Sequence, residues 1–228
     1  MFGSDRLFVK ICGITNEDDA MLAFGLGADA VGFVFAPSTR QVTPGTVRDI
    51  TRRLHPDILT VGVFRDQSPQ FVIDTVQAAG LQAAQLHGHE TPHDAAEIRP
   101  YVQALIVGFA AGDPGLRHVD AYGADAVLLD SPAPGSGQVF DWSLADGAPS
   151  GRRIILAGGL TPENVGDGIA KVNPWGVDVS SGVEVVGVPG RKDPRKVQAF
   201  IRNARAAAPV RQSGPGGVAP FDWAESGI

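Results

Sequence analysis

Cysteine is close to absent from this chain. One thiol, Cys12, stands among 228 residues, which excludes an internal disulfide and agrees with a reducing compartment, so a cytoplasmic location is expected. Basic runs are lacking as well. The net charge is −6, no Lys/Arg-rich patch occurs, and a nucleic-acid partner is not expected. That balance does not exclude a small anionic ligand, because local backbone amides can hold one whatever the overall charge. No apolar stretch approaches the ~20 residues that span a bilayer, so no membrane partner is expected. The start, MFGSDRLF, lacks the basic and apolar parts of a secretory signal. His55, His89, His93 and His118 show no metal-ligand spacing with acids or thiols, and no metal is expected.

What is present is an ordinary globular composition, 43% hydrophobic and 19% charged, at a length that suits one large domain or two small ones. Short apolar runs recur along it: Leu7 to Ile14, Ala30 to Ala36, Ile58 to Phe64, Ala83 to Gly88, Val102 to Gly108, Ala126 to Ser131, Arg153 to Leu160 and Gly176 to Gly182. They are nearly continuous in apolar character, as strands buried on both faces of a parallel sheet are. Between them lie helix starts in which a capping residue precedes proline: Thr43-Pro44, Ser68-Pro69, Thr91-Pro92, Thr161-Pro162 and Asp193-Pro194, with Asp113-Pro114 a weaker case. Thr15 or Asn16 can cap the first helix, whose opening acids Glu17, Asp18 and Asp19 suit its positive end. Gly27, Gly80 and Gly123 end helices.

Eight such units spaced roughly two dozen residues apart predict a single (β/α)8 TIM barrel of eight parallel strands over residues 1–207. A doubly wound open sheet is the competing architecture, with fewer and less evenly spaced units. The fifth and sixth helices are the weak ones, short and rich in glycine. Residues 208–228 are rich in Gly and Pro without helical period, and a disordered C-terminal tail is expected there.

In such a barrel the chemistry sits at the C-terminal ends of the strands, which turns strand ends into candidates. Asp130 closes the apolar run AVLLD. An acid there is either a loop anchor or, its pKa raised by partial burial, a proton donor near neutral pH. Cys12 is either a small packing residue or, near a helix N-terminus, a thiolate base. Lys10 and Cys12 share one face of their strand, as do Leu128 and Asp130, so each pair points inward together or not at all. Gly158 with Gly159 after the seventh strand, and Ser180, Ser181 and Gly182 after the eighth, either turn the chain or admit a phosphate to backbone amides and hydroxyls. Arg40 is either a solvated surface arginine or a bidentate clamp for a carboxylate. His87 can hydrogen-bond within the site or to a neighbouring loop.

In order along the chain, KICGIT, GFVFAPSTRQV, VGVF, QLHG, LLD followed by GSGQVFDW, LAGGLTPENV and DVSSGVE resemble the motifs of the phosphoribosylanthranilate isomerases of tryptophan biosynthesis, from about Val9 to about Phe200. The resemblance implies an Amadori rearrangement of an aminoaldose to an aminoketose, with Asp130 as general acid and Cys12 as general base. It further implies Arg40 on the anthranilate carboxylate, the Gly158-Gly159 and Ser180 to Gly182 segments on the phosphate, and no cofactor. Partners are then a phosphorylated small-molecule substrate and, at most, a second copy of the chain, as monomer or homodimer. One departure is Pro134-Gly135-Ser136-Gly137, where members often carry a Gly-Gly pair; the loop from Ser131 to Phe140 is expected to close differently over substrate. Two rival readings keep the barrel. One is the related isomerase of histidine synthesis, or an enzyme with both substrates, though the former generally uses an aspartate in place of Cys12. The other is a phosphate-ligand binding protein without catalysis.

Overall fold

The computed structural model describes residues 6–130 and 151–209. The expected loop from Ser131 to Phe140, the weak sixth helix and the tail from residue 210 onward lie outside the described residues. Eight parallel strands close into one barrel in sequence order: β1 (Phe8–Ile11), β2 (Ala30–Val34), β3 (Leu59–Phe64), β4 (Ala83–Leu86), β5 (Ala104–Ala110), β6 (Ala126–Asp130), β7 (Ile154–Leu156) and β8 (Gly176–Val179). The helices are α1 (Glu17–Gly25), α2 (Pro44–Thr51), α3 (Pro69–Ala79), α4 (Pro92–Ile98), α5 (Val165–Val172) and α6 (Pro194–Ala207), with a 3-10 segment over Pro114–Tyr122 in place of the weak fifth helix.

Residue parity divides the apolar side chains into two layers. Val9 and Ile11, Ala84 and Leu86, and Val177 and Val179 join the large core between barrel and helices. Their alternates, Phe8, Ala30, Leu59, Val61, Ala83, Ala104, Ile106, Ala126, Leu128 and Ile155, pack together inside the barrel. The inner set is rich in alanine because eight strands leave a lumen only wide enough to be filled by side chains. Phe8 stacks on Trp175 with ring centroids 4.6 Å apart, and Trp175 packs against the inner set at its N-terminal end. Lys10, Gln85, Asp130 and Asp178 share the inward parity.

Capping works as the sequence predicts, with one change. Asn16, Thr43, Ser68, Thr91 and Asp193 each accept a hydrogen bond from an amide of the first turn, and Asp113 caps the 3-10 segment. Thr15 does not cap; its hydroxyl donates to the Gly190 carbonyl. At Thr161 the hydroxyl accepts from Glu163 N–H and the carbonyl from Val165 N–H, so the capped turn forms but precedes α5 instead of belonging to it.

Most strands are shorter than their apolar runs, since the last residues leave the ladder to form the mouth. The fifth is displaced: Val102 to Gly108 is expected, Ala104–Ala110 is found. Gly108 reads as a terminator in the sequence, yet it lies inside β5. A Cβ on it would stand 2.9 Å from His87 Nδ1, so the glycine makes room for that ring.

At the opposite end of the barrel a latch recurs that single motifs do not reveal. Asp29, just before β2, accepts the Val9 amide of β1; Gln82, just before β4, accepts the Thr60 amide of β3; Asp125, just before β6, accepts the Leu105 amide of β5. The first and last sit in the repeated pentapeptide Gly-Ala-Asp-Ala-Val, at 27–31 and 123–127. Asp29 additionally pairs with Arg205 on α6 at 2.7 Å and with Arg6, so it ties the first strand to the last helix. Loss of a charged, half-buried acceptor of this kind costs about 1.5–3 kcal/mol. Asp29→Ala is therefore expected to lower the urea unfolding free energy by that amount while leaving activity at low temperature unchanged.

Candidate active site

Backbone bonds that extend the sheet past the formal strand ends hold the mouth residues in place. The Cys12 amide donates to Val179 O at 2.8 Å, His87 to Phe64 O at 2.9 Å, and Ala157 to Leu129 O at 2.8 Å. One cavity at this end is lined by Cys12, Arg40, His87, Asp130, Gly158, Gly159, Ser180, Ser181 and Gly182 together with Gln85 and Asp178. The structure thus brings every candidate strand-end residue of this set to a single opening.

Asp130 and His87 meet across the β4 and β6 walls, with Nε2 3.2 Å from Oδ2. Gln85, two residues before His87 and on the same face, places its amide nitrogen 2.9 Å from Nδ1. With that amide donating, Nδ1 is the acceptor, and the ring proton sits on Nε2, directed at Asp130. Three inward residues on two strands therefore form one hydrogen-bonded line ending on the carboxylate. The Gln85 side-chain oxygen, Oε1, is buried without a partner among the described residues.

Cys12 differs from its expected state. Burial pushes the thiol up, Lys10 opposes this most strongly, and the net direction is upward. The expected helix N-terminus is only a single 3-10 turn, Ser181–Val183, and the cation beside the sulfur is Lys10. That lysine is fully buried, and its ammonium lies 3.0 Å from Asp178. Burial works to lower Lys10, but Asp178 and then Cys12 outweigh it, and the group stays protonated above its ordinary range.

Arg40 is neither solvated nor free. Its Nε and Nη2 donate to the two oxygens of Glu184 at 2.7 and 2.8 Å. The same carboxylate accepts from buried Lys192 at 3.1 Å and from the Gly190 amide at 3.1 Å. Burial works to raise Glu184, but Arg40 and Lys192 reverse it and hold the carboxyl below its usual range. A guanidinium has five N–H donors, so three of those on Arg40 remain beyond the two given to Glu184, on the edge away from it.

The loops after β7 and β8 touch. A Cβ on Gly182 would stand 1.9 Å from Leu160 O, so only glycine admits this approach. Gly158 and Gly159 both hold positive φ, 81° and 65°, a conformation glycine adopts without strain. Ser180 and Ser181 line the same corner.

Sequence reasoning missed Lys10, Gln85, Asp178, Glu184 and Lys192. A signal existed for the first three: each is a polar residue at an inward position of an apolar strand, where it is costly unless partnered. Glu184 and Lys192 carry no such mark, because their partners are distant in sequence.

A family model described as N-(5'phosphoribosyl)anthranilate (PRA) isomerase matches residues 9–203. The N-(5'-phosphoribosyl)anthranilate isomerase of Desulforudis audaxviator is 46% identical over 206 residues, covering 87% of this chain and 98% of that protein. The crystal structure of phosphoribosyl anthranilate isomerase from Thermus thermophilus is 40% identical, with a TM-score of 0.80 over 88% of this chain and 99% of that one. A second crystal structure of such an isomerase, in complex with reduced 1-(o-carboxyphenylamino)-1-deoxyribulose 5-phosphate, is 38% identical, with a TM-score of 0.76 over the same shares.

The depressed Glu184 carboxyl carries a pH signature. A folded-state pKa below the unfolded value of ~4.3 gives stability that is complete above that pH and fades as pH falls through the lower folded value. Unfolding free energies of the wild-type chain and Glu184→Gln should differ most near neutrality and converge below about pH 4. A gap that stays constant across the acid range would show that Glu184 is not held ionised by its partners.

Proposed function

The chain belongs to the N-(5'-phosphoribosyl)anthranilate isomerase family, and we propose that Cys12 and Asp130 are the groups that move protons in its reaction. It is an isomerase of tryptophan biosynthesis. The reaction is an Amadori rearrangement: N-(5'-phosphoribosyl)anthranilate, an aminoaldose, becomes 1-(2-carboxyphenylamino)-1-deoxyribulose 5-phosphate, an aminoketose.

The observation that carries the assignment is that the thiol and the carboxyl face one cavity from different walls. Cys12 follows β1 and Asp130 ends β6, with β7 and β8 between them. Asp130 gives a proton to the furanose ring oxygen. The C1–O bond breaks, and the nitrogen lone pair forms the C1=N bond of a protonated Schiff base. Cys12 then takes the C2 proton, the C–H electron pair becomes the C1=C2 bond, and the electrons of the C1=N bond return to nitrogen. The resulting enolamine tautomerises to the ketone. His87 supports the first step: its Nε2–H stabilises the carboxylate that Asp130 becomes on giving up its proton.

The remaining residues hold the two ends of the substrate. Glu184 fixes the Arg40 plane through its Nε and Nη2, which leaves the outer edge to meet the anthranilate carboxylate end-on. The loops bearing Gly158, Gly159, Ser180, Ser181 and Gly182 offer amides and hydroxyls to the phosphate, where barrels of this kind commonly bind one. We place the enzyme in a reducing cytoplasm, as a monomer or homodimer.

Steady-state turnover of freshly prepared N-(5'-phosphoribosyl)anthranilate tests these roles. Cys12→Ser and Asp130→Asn are each expected to lower kcat by about 10²–10⁴-fold with little change in KM. Arg40→Met is expected to act mainly through KM. Undiminished kcat in either of the first two variants removes that residue from the proton transfers. Faster turnover of the histidine-pathway aminoaldose than of the anthranilate would favour the rival isomerase.

A further inference from the structure

Lys10 and Asp178 are buried charges that the proton transfers above leave without a task. The lumen below them is filled by Phe8 and by Ala, Val, Ile and Leu side chains. An apolar pair of similar volume there would avoid the desolvation of two ions and often matches or exceeds a buried ion pair in stability. What distinguishes Lys10 is where its ammonium ends. A Cβ on Gly32 would stand 2.8 Å from Cys12 Sγ and 3.1 Å from Lys10 Nζ. Glycine at that place in β2 therefore lets thiol and ammonium occupy neighbouring space, while Asp178 Oδ1 holds the ammonium at 3.0 Å.

We propose that Lys10, oriented by Asp178, is the counter-cation of the Cys12 thiolate and sets the pH at which the base forms. The inference rests on the assignment of Cys12 as the base. Among the described residues, four charged groups face the thiol: Lys10 from its own strand, Asp178 from β8, Lys192 from the segment before α6, and Arg40 from the loop after β2. Arg40 and Lys192 are both engaged by Glu184, so much of their charge is compensated there. Lys10 ranks first among the influences that favour the thiolate, and Asp178 first among the charges that oppose it.

Asp178 therefore acts in two directions. It keeps the ammonium charged and in place, and its own negative charge resists a second anion on Sγ. When the thiol loses its proton to solvent, the new charge forms beside the ammonium. When Sγ takes the C2 proton, that charge is cancelled, and Asp178 keeps Lys10 from being left as an unpaired buried cation.

The pH dependence of alkylation by iodoacetamide, without substrate, reads the thiol directly, and the single cysteine makes the reading specific to Cys12. Lys10→Met alone strands a buried carboxylate and puts folding at risk, so the decisive variants are Asp178→Asn and the double variant Lys10→Met/Asp178→Asn. In Asp178→Asn the side-chain amide oxygen still accepts from the ammonium and holds it in place while the opposing charge is gone. The alkylation midpoint is therefore expected to fall in that variant and to rise in the double variant, each by about one pH unit. The acid limb of kcat against pH should move in the same two directions. Midpoints that stay at the wild-type value, or that move together, overturn the proposal, since a purely structural pair would not shift them in opposite senses. Failure of the underlying assignment looks different: Cys12→Ser would retain turnover, and the pH profile of kcat would ignore displaced alkylation midpoints.

Discussion

The narrow lumen of an eight-stranded barrel is the constraint on which the rest of the molecule depends. Every strand sends alternate side chains inward, and the enclosed space admits only a few large ones. Alanine and glycine therefore recur at inward positions of β2, β4, β5 and β8, and several large or polar inward residues are matched by a small neighbour. Gly32 lies against Cys12 and Lys10, and Gly108 against the His87 ring. Cys12, Lys10 and His87 are thus part of the packing of the barrel, at the level where the filled lumen gives way to an open mouth.

Two charge systems meet at that mouth, one carried by strands and one by the segments that follow them. Lys10 and Asp178 belong to β1 and β8, neighbours in the closed sheet with Lys10 paired to Asp178 in register, so their geometry is set by the hydrogen-bond ladder. Arg40 comes instead from the segment between β2 and α2, and Glu184 and Lys192 from the one between β8 and α6; the Arg40–Glu184 ion pair joins the two. Glu184 receives both cations and a backbone amide, so the loops after β2 and β8 are cross-linked around one carboxylate. Such a link fixes the guanidinium, so its side-chain entropy is already lost in the unliganded fold.

The opposite end of the barrel shows the complementary design. Asp29, Gln82 and Asp125 each close the start of one strand onto the turn before the next. None of these residues lines the mouth. Stability devices and chemistry are carried at opposite ends of the same strands, so either can change without disturbing the other.

The sequence by itself determined the fold and the strand-end residues of the mouth, though not Gln85 and Asp178 one step below them. Apolar runs at even spacing, helix starts with a cap before proline and glycines at helix ends are local signals, each readable within a few residues. Cys12, Asp130 and the glycine and serine corners follow from the rule that strand ends meet at one mouth. Only the tertiary structure decided the electrostatics. Lys10 reads only as sharing a strand face with Cys12 until β8 brings Asp178 beside it, and Arg40 reads as either solvated or a carboxylate clamp until Glu184, 144 positions away, takes its guanidinium. The displaced β5 has the same origin, since Gly108 is a terminator in the one-dimensional pattern and a clearance for His87 in the folded chain. Propensity and periodicity act between neighbours in sequence, whereas charge pairing and close approach act between neighbours in space, and closing the barrel is what makes those neighbours.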